Sequence, residues 1–387
     1  MLDPQLQPDL DRSAAARVFI LADDLTGACD SGAAFLAAGR AVRIVLNIAL
    51  NIAGTTQEFP HAEAVLAFTT ETRNLSSGEA ALRVARAVDH LRIASSGHIL
   101  FKKIDSAARG HLGVETMASL NASGAALALV APAFPPAGRT VRSGVLSIRD
   151  AAAQDTTVAL LDLFPSVEAA RIDSLPAAAE VALEQGIARA LASGIRVLLC
   201  DSQTQADLDR LATAASHLRQ PILWTGSAGL ARALAATLPP LRRGETTPFP
   251  HRDGRTLLFV GTDHPVTTLQ VSHLEGHCQA PDRAIHRVNW TSPSHDEIRE
   301  AFAASPTAAL VLTGGETAAF VLEALDAASI LLAGELAPGI PWGIVDGGVA
   351  DGCVVVTKSG GFGSREALVH VFDCCSHIHH RRACAPA

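Results

Sequence analysis

Two adjacent aspartates follow a five-residue apolar run near the start of the chain, in the segment VFILADDLTG. Asp23 and Asp24 repel each other, so the fold must supply partners for both carboxylates or use them for chemistry. Carboxylates accept hydrogen bonds from hydroxyl groups and can take a proton from one, which suits a polyhydroxylated substrate. A structural alternative stays open, because Asp24 or Thr26 is also a common cap for a following helix.

Charged residues of both signs follow three further apolar runs in the first half of the chain. They lie in the segments TETR, KKIDSAARG and PAFPPAGR and include Arg73, Lys102, Lys103, Asp105, Arg109 and Arg139. Guanidinium groups bind a substrate carboxylate through paired hydrogen bonds. Strand alternation requires that one of the two lysines points away from the site. Arg109 and Arg139, taken singly, are also consistent with solvated loop residues, but four such strand ends together favour a site for a small anionic polyol.

Glycine-rich loops follow apolar runs in the second half, in VGTDHPVTTLQ, LTGGETAAF and TKSGGFGSREAL. Glycine lets backbone N–H groups approach phosphate oxygens, and a helix N-terminus adds a favourable dipole. Gly314 and Gly315 give the strongest indication of a phosphate site, because they directly precede a predicted helix. Glycine-rich loops of α/β proteins are often tight turns that bind no ligand. Neither of the common nucleotide-binding motifs, G-x-G-x-x-G and G-x-x-x-x-G-K-[ST], is present. Three glycine-rich loops in one region favour phosphate binding without a standard dinucleotide fold or P-loop.

Apolar runs alternate with Ala- and Leu-rich segments of helical period, a pattern typical of α/β domains with largely parallel sheets flanked by helices. The predicted strands are Val18–Ala22, Val42–Leu46, Ala64–Thr69, His98–Ile104, Ala126–Ala131, Val197–Cys200, Thr256–Val260, Ala308–Leu312 and Cys353–Thr357. The predicted helices are Ser31–Ala38, Ser77–Leu91, Val114–Ser119, Ala177–Ala192, Gln205–His217, Ser227–Ala236, Asp296–Ala304, Thr317–Leu325 and Ser364–Val369.

The stretch 238–255 is rich in Pro, Arg and Gly and is the predicted linker between two domains, 17–237 and 256–373. Segments 1–16 and 374–387 are predicted to lie outside both domains as an extended N-terminus and a tail. Ligands of open α/β sheets bind at the carboxyl ends of the strands. We therefore expect the charged loops and the glycine loops to face one cleft between the domains.

Composition excludes several functional classes. The 387-residue chain is 48% hydrophobic and 18% charged, has a formal net charge of −8 and contains no Tyr. These values argue against nucleic-acid binding and against attachment to an anionic membrane. No apolar run reaches the roughly 18 residues of a membrane span, and seven Cys without a C-x-x-C pair predict reduced thiols in a cytoplasmic protein. The terminal Cys and His residues are predicted to be frayed rather than metal-binding.

Together the motifs resemble those of the four-carbon acid sugar kinases, a family long described as a domain of unknown function. The family segments A-D-D-x-T-G, K-I-D-S-x-x-R-G and P-A-x-P-x-x-G-R are matched at 22–27, 103–110 and 132–139. In the second half, T-G-G-E-T and K-S-G-G-F-G are matched at 313–317 and 358–363. The resemblance covers most of residues 17–370, with the motifs in the same order.

The resemblance implies an ATP-dependent kinase that phosphorylates the terminal hydroxyl of threonate, erythronate or an oxo-tetronate, with Mg²⁺ bridging the phosphates. The implied sugar-acid contacts are Arg73, Ser106, Arg109, Gly138 and Arg139, and the implied ATP contacts are Thr262, His264, Gly314, Gly315, Glu316, Thr317, Gly360 and Gly361. Two segments depart from the family pattern: Gly261–His264, where many members read G-S-x-S, and Ser143–Pro165, which is shorter than usual. These departures leave open a substrate acid that differs from those of the characterised members.

Phosphoryl transfer depends on positioning and on neutralising charge. Asp24 or Asp23 is the predicted base, Asp105 orients hydroxyls, and Lys103 neutralises the transferring group. Arg73, Arg109 and Arg139 remain alternatives for the carboxylate clamp, and Glu316 is a candidate partner of Mg²⁺ through water.

Two other functions stay open beside the kinase. One is a sugar-acid sensor without chemistry. The other is an NAD(P)-dependent sugar-acid dehydrogenase, which the missing dinucleotide fingerprint disfavours. A homodimer is the expected assembly for an enzyme of this kind, and the sequence does not distinguish threonate from erythronate.

Overall fold

A computed structural model of the chain describes residues 17–46, 65–91, 98–149, 155–166, 171–239, 248–250, 252–277 and 283–375. Its strands are β1 Val18–Ala22, β2 Val42–Val45, β3 Val65–Thr69, β4 Ile99–Lys103, β5 Leu127–Ala131, β6 Arg139–Arg142, β7 Val145–Ile148, β8 Thr156–Ala159, β9 Ile172–Leu175, β10 Val197–Cys200, β11 Ile222–Gly226, β12 Arg255–Val260, β13 Arg283–Arg287, β14 Thr307–Thr313, β15 Ser329–Ala337, β16 Ile340–Asp346 and β17 Val354–Lys358. Its α-helices are α1 Leu25–Ala37, α2 Ser77–His90, α3 Leu112–Ser123, α4 Glu180–Ala192, α5 Gln205–Ser216, α6 Ala228–Thr237, α7 Pro265–His277, α8 His295–Ala303, α9 Gly315–Ala324 and α10 Ala367–Cys375. None of the described helices is both long enough and apolar enough to cross a bilayer.

A fourteen-stranded sheet runs through the described part of the chain in the order β13-β12-β14-β17-β16-β15-β2-β3-β1-β4-β11-β5-β10-β9. The eight strands from β2 to β9 in this order are parallel to their neighbours, as are the four strands at the other end. The hairpin β15–β16 lies between the two groups and is antiparallel to both of its neighbours. The predicted α/β class, with a large and mostly parallel sheet flanked by helices, is confirmed.

The two halves of the sheet join where β15 pairs with β2. Ser329, Ile330 and Leu331 lie opposite Val45, Ile44 and Arg43 in an antiparallel register. Helix α1 packs across this join, because it contacts β2 and β3 on one side and β15 and β16 on the other. The sheets of the two predicted domains are thus connected edge to edge, while the domain bounds themselves stay a prediction.

Helix α1 begins six residues before the predicted start at Ser31. Its N-cap is Asp24, whose Oδ1 accepts a hydrogen bond from the backbone N–H of Gly27 at 2.9 Å. Sequence patterning missed these first turns because Leu25, Thr26 and Gly27 are buried on all sides and show no amphipathic period. The helix therefore starts directly at the carboxyl end of β1.

A small antiparallel sheet of β6, β7 and β8 lies outside the large sheet. Its strands β7 and β8 lie in the segment Ser143–Pro165, where the sequence departs from the family it resembles; residues 150–154 of that segment fall outside the described residues. The first residue of β6 is Arg139 and the last of β7 is Ile148, and the two pair with each other. This sheet consequently positions Arg139, one of the predicted substrate-binding residues.

Candidate functional site

A cavity of about 250 Å³ lies where the carboxyl ends of the first-half strands meet the loop after β17. The predicted residues that line it are Asp24, Arg73, Lys103, Asp105, Ser106, Arg109, Arg139, His264 and Gly361. The predicted residues that do not line it are Asp23, Gly138, Thr262, Gly314, Gly315, Glu316, Thr317 and Gly360. The charged loops and two of the glycine loops, those after β12 and β17, therefore face the same space, as expected for a shared cleft.

Arg73 joins three carboxylates at the wall of this cavity. Its Nε donates to Asp23 Oδ2 at 2.8 Å, and one terminal nitrogen donates to Asp24 Oδ2 at 2.8 Å. Its other terminal nitrogen lies 3.6 Å from Asp105 Oδ2. The guanidinium is thus occupied by the protein's own acids, which makes Arg73 an organiser of the acidic wall.

Asp24 uses both carboxylate oxygens in local hydrogen bonds. Besides the bond from Gly27, its Oδ2 accepts from the hydroxyl of Thr26 at 2.8 Å and from Arg73. Burial alone would raise the pKa of Asp24, but Arg73, Lys103 and the Thr26 hydroxyl favour the charged form and lower it. The capping alternative is thus realised for Asp24, which stays ionised; its role as the base remains a prediction.

Asp23 differs from its neighbour in environment. Burial raises the pKa of Asp23, against the opposing influence of Arg73. Its Oδ1 is buried and has no hydrogen-bond partner among the described residues. Adjacent carboxylates therefore carry opposite pKa shifts, a separation that the sequence did not reveal.

Asp105 is held in a turn by the residues that follow it. Its Oδ1 accepts from the backbone N–H of Ala107 at 2.9 Å and from Arg109 Nε at 3.1 Å. Burial opposes its ionisation, but Arg109 and Arg73 lower its pKa. The Arg109 side chain keeps 56% of its surface exposed. It can therefore approach a ligand while it orders Asp105.

The two adjacent lysines separate as strand alternation predicts. Lys103 lines the cavity, and its Nζ donates to the backbone carbonyl of Ile104 at 2.9 Å. Lys102 points to the other face, where its Nζ lies 2.6 Å from Oε2 of the buried Glu115 on α3. Lys103 thus belongs to the site and Lys102 to the interior.

The glycine loops of the second half pack against one another. A Cβ on Gly261 would lie 2.5 Å from the Thr317 hydroxyl, and one on Gly360 would lie 3.1 Å from the Thr262 hydroxyl. Gly314, with φ +91°, donates its N–H to the carbonyl of Lys358 at 2.8 Å. The loops after β12 and β14 sit where the strand order reverses, the position at which open α/β sheets bind nucleotides.

Lys358 and Gln270 hold the loop after β17 from inside. Lys358 Nζ donates to the carbonyls of Ser359 and Phe362 at 2.8 and 3.1 Å, and burial lowers the pKa of this lysine to about 7. Gln270 Nε2 also donates to the Phe362 carbonyl, at 3.0 Å. Within the described ranges, the N–H groups of Gly360 and Gly361 have no intramolecular acceptor. The loop therefore engages its carbonyls inward and leaves amides for an anion.

Contacts across the cleft connect the two sets of loops. A Cβ on Gly315 would lie only 2.2 Å from Asp24 Oδ2, so the first turn of α9 contacts the acidic wall directly. The rings of Phe134 and Phe362 meet with their centroids 5.9 Å apart, and Arg232 lies over the Phe134 ring. Sequence reasoning missed both Phe134 and Phe362, because isolated aromatics carry no spacing signal.

The cavity has no built-in metal cage among its described residues. In the described ranges, only Glu180, Glu184 and His217 bring three potential ligand atoms within 4.8 Å of one another, and none of them lines the cavity. Mg²⁺ in phosphoryl transfer commonly uses phosphate oxygens and water with few protein ligands. The donor set therefore fits an ion that arrives with a nucleotide, and Glu316 is exposed in the first turn of α9.

The structure describes two of the terminal Cys residues but none of the terminal His residues. Cys374 and Cys375 are not frayed as predicted, because both are buried in the last turn of α10; neither is in a disulfide. His377, His379 and His380 lie outside the described residues.

Two family models match the chain: a sugar-binding N-terminal domain over residues 18–234 and a nucleotide-binding C-terminal domain over residues 295–368. A D-threonate kinase of Bordetella bronchiseptica is 32% identical over 90% of this chain and 95% of the relative. A D-threonate kinase of Cupriavidus necator is 31% identical over 92% and 97%. A 3-oxo-tetronate kinase from the same organism is 26% identical over 89% and 93%.

Solved structures share the fold. A Haemophilus influenzae protein from the family DUF1537 superposes with a TM-score of 0.64 at 20% identity, covering 90% of this chain and 97% of its own. A Salmonella typhimurium protein superposes with a TM-score of 0.69 at 19% identity, covering 91% and 98%.

Proposed function

The chain belongs to the four-carbon acid sugar kinase family, and from that membership we propose that it transfers the γ-phosphoryl group of ATP to the terminal hydroxyl of a four-carbon sugar acid, with D-threonate preferred. The two relatives above 30% identity named here are both D-threonate kinases. The observation that carries the proposal is one cavity that brings together guanidinium groups, carboxylates and two glycine loops.

In this proposal Arg109 and Arg139 clamp the substrate carboxylate. Arg73 is committed to three acids, whereas Arg109 is half exposed and Arg139 Nε has no partner in the described part of the chain. A fork of two N–H donors matches the geometry of a carboxylate. Ser106 and Asp105 lie between these arginines and Lys103 along the chain, and we assign them to the substrate hydroxyls.

The second half holds the triphosphate. The amides of Gly360 and Gly361 and the first turn of α9, from Gly315 to Thr317, supply N–H donors for phosphate oxygens. The hydroxyl of Thr262 and the ring of His264 complete the set of ATP contacts carried over from the family. Lys103 neutralises charge on the transferring group from the opposite wall.

Mg²⁺, when bound, would neutralise phosphate charge, and we assign Glu316 to hold it through water. The rest of the proposed catalysis is positioning: the charged wall orients the acid, and the glycine loops orient the nucleotide. A homodimer and a cytoplasmic location stay predictions, as do the domain bounds 17–237 and 256–373.

The direct test is a coupled assay of ADP release with a panel of D-threonate, L-threonate, D-erythronate and the oxo-tetronates. We expect ADP release that depends on the added acid and is highest with D-threonate. The product should carry one phosphate on its terminal oxygen, which phosphorus NMR detects. ADP release with none of the acids would refute the proposed function, and a different best acid would refute only the choice of D-threonate.

An Arg109→Ala variant is expected to raise the KM for the acid about tenfold, because a hydrogen bond to a charged group contributes about 1.5–3 kcal/mol and this side chain is partly solvated. The KM for ATP should change little. Initial-rate kinetics with each substrate varied in turn measure both constants.

Arg287→Ala is the matched control, since Arg287 also forms an ion pair, with Glu275 at 3.4 Å, and has a similarly exposed side chain. It does not line the cavity. An unchanged KM for the acid in Arg109→Ala would transfer the clamp to Arg139.

A further inference from the structure

Asp30 is a carboxylate of the cavity wall that the motifs did not single out. It lies on α1, six residues after the capping Asp24, and lines the cavity. Its Oδ1 is buried without a hydrogen-bond partner among the described residues. A buried carboxylate oxygen without a hydrogen-bond partner is costly unless a ligand supplies the missing hydrogen bond.

The other carboxylates of the site are less suited to accept a proton. Both oxygens of Asp24 are occupied by Gly27, Thr26 and Arg73. Asp105 is held by Arg109 and by backbone N–H groups, and Asp23 does not line the cavity. Asp30 alone among these four both faces the cavity and keeps an oxygen free in the described structure.

We propose that Asp30 is the general base of the reaction, an inference that rests on the proposed kinase activity. The O–H bond of the terminal hydroxyl breaks, and its proton passes to the Asp30 carboxylate. The hydroxyl oxygen forms a bond to the γ-phosphorus, while the bond from that phosphorus to the β–γ bridging oxygen breaks. ADP leaves with the electron pair of that bond, and Asp30 returns the proton to solvent.

The charges around Asp30 suit this role. Burial raises its pKa to about 6; Lys103 and Arg232 oppose the increase, whereas Glu335 and Asp24 add to it. These four groups face Asp30 from β4, α6, β15 and the start of α1. A base whose pKa lies near the working pH combines a large ionised fraction with a useful proton affinity.

An Asp30→Asn variant is expected to lower kcat about 10²–10⁴-fold, the usual contribution of a general base. The affinities for D-threonate and for a non-hydrolysable ATP analogue with Mg²⁺, measured by calorimetry, should stay close to those of the wild type. Asp89→Asn is the control, because Asp89 is exposed near the end of α2 and does not line the cavity. Its kcat should equal that of the wild type.

Two further readouts separate a base from a structural residue. Wild-type kcat should fall as the pH drops through about 6, because protonation removes the acceptor, and Asp30→Asn should lack this limb. In Asp30→Ala, added formate should restore part of kcat, since it can occupy the vacated space and accept the proton.

Wild-type kcat in Asp30→Asn, lost acid binding in that variant, or no rescue by formate would each overturn the assignment. These results differ from failure of the proposed function, in which the wild-type protein itself releases no ADP with any tetronate. Circular dichroism of both Asp30 variants confirms that a lost rate reflects chemistry rather than unfolding.

Discussion

A Gly315→Ala variant is expected to lose about 10²-fold in kcat/KM and about 1–3 kcal/mol in the free energy of unfolding. The added Cβ would lie 2.2 Å from Asp24 Oδ2 and 2.8 Å from its Cγ. Asp24 cannot move aside without breaking its bonds to Gly27, Thr26 and Arg73. Either α9 or the acidic wall must therefore shift, and a shift of about 1 Å at the reacting groups is enough for this loss. ADP-release kinetics and urea unfolding measure the two effects.

Gly78→Ala is the matched control for that substitution. Gly78 also lies in the first turn of a helix, α2, but a Cβ there would meet no atom within 4 Å. Because alanine lowers the entropy of the unfolded chain, this variant should gain roughly 0.5–1 kcal/mol of stability and keep full activity. Full activity in Gly315→Ala as well would contradict the close contact between the two halves of the site.

The charged loops could be predicted from sequence because they depend on local patterning. Apolar runs placed β1, β4 and β5 within one or two residues of their observed bounds at each end, and parallel strands bring their carboxyl ends to one edge. Lys103, Asp105 and Arg109 then follow from their positions directly after β4. The alternation of side chains along a strand also predicted that Lys102 and Lys103 point to opposite faces of the sheet.

Other features depend on contacts between distant parts of the chain. The pairing of β2 with β15 joins residues almost 300 positions apart, and neither strand carries a signal for the other. The strands β15 and β16 were not predicted at all, although they connect the two halves. The sequence also does not distinguish a helix cap from a base at Asp24, because both roles use an aspartate.

The sequence contains a signal that identifies Asp30 as a candidate site residue, but the motif-based prediction did not use it. Most residues of α1 are buried, and the segment LTGACDSGAAFLA contains only one charged side chain. An acid within an otherwise buried helix needs a partner or a function. That argument required the true start of α1, because a helix that begins at Ser31 leaves Asp30 in a loop.

A Lys102→Met variant is expected to lose about 3–5 kcal/mol of unfolding free energy, the usual cost of breaking a buried ion pair. The side chains of Lys102 and Glu115 are 0% and 2% exposed, and the loss of the lysine leaves Glu115 buried without its counter-charge. Glu115 Oε1 has no partner in the described residues even in the intact pair. Urea unfolding followed by circular dichroism measures the change, with a lower midpoint at an unchanged slope.

The double variant Lys102→Met/Glu115→Leu separates charge burial from packing. Replacing both partners by apolar groups of similar size is often neutral or stabilising, so this variant should recover most of the lost stability. It should also keep its ADP release, because neither residue lines the cavity. A single variant as stable as the wild type would show that Glu115 is neutral or reaches solvent. A double variant without activity would show instead that the inner face of β4 helps to position Lys103.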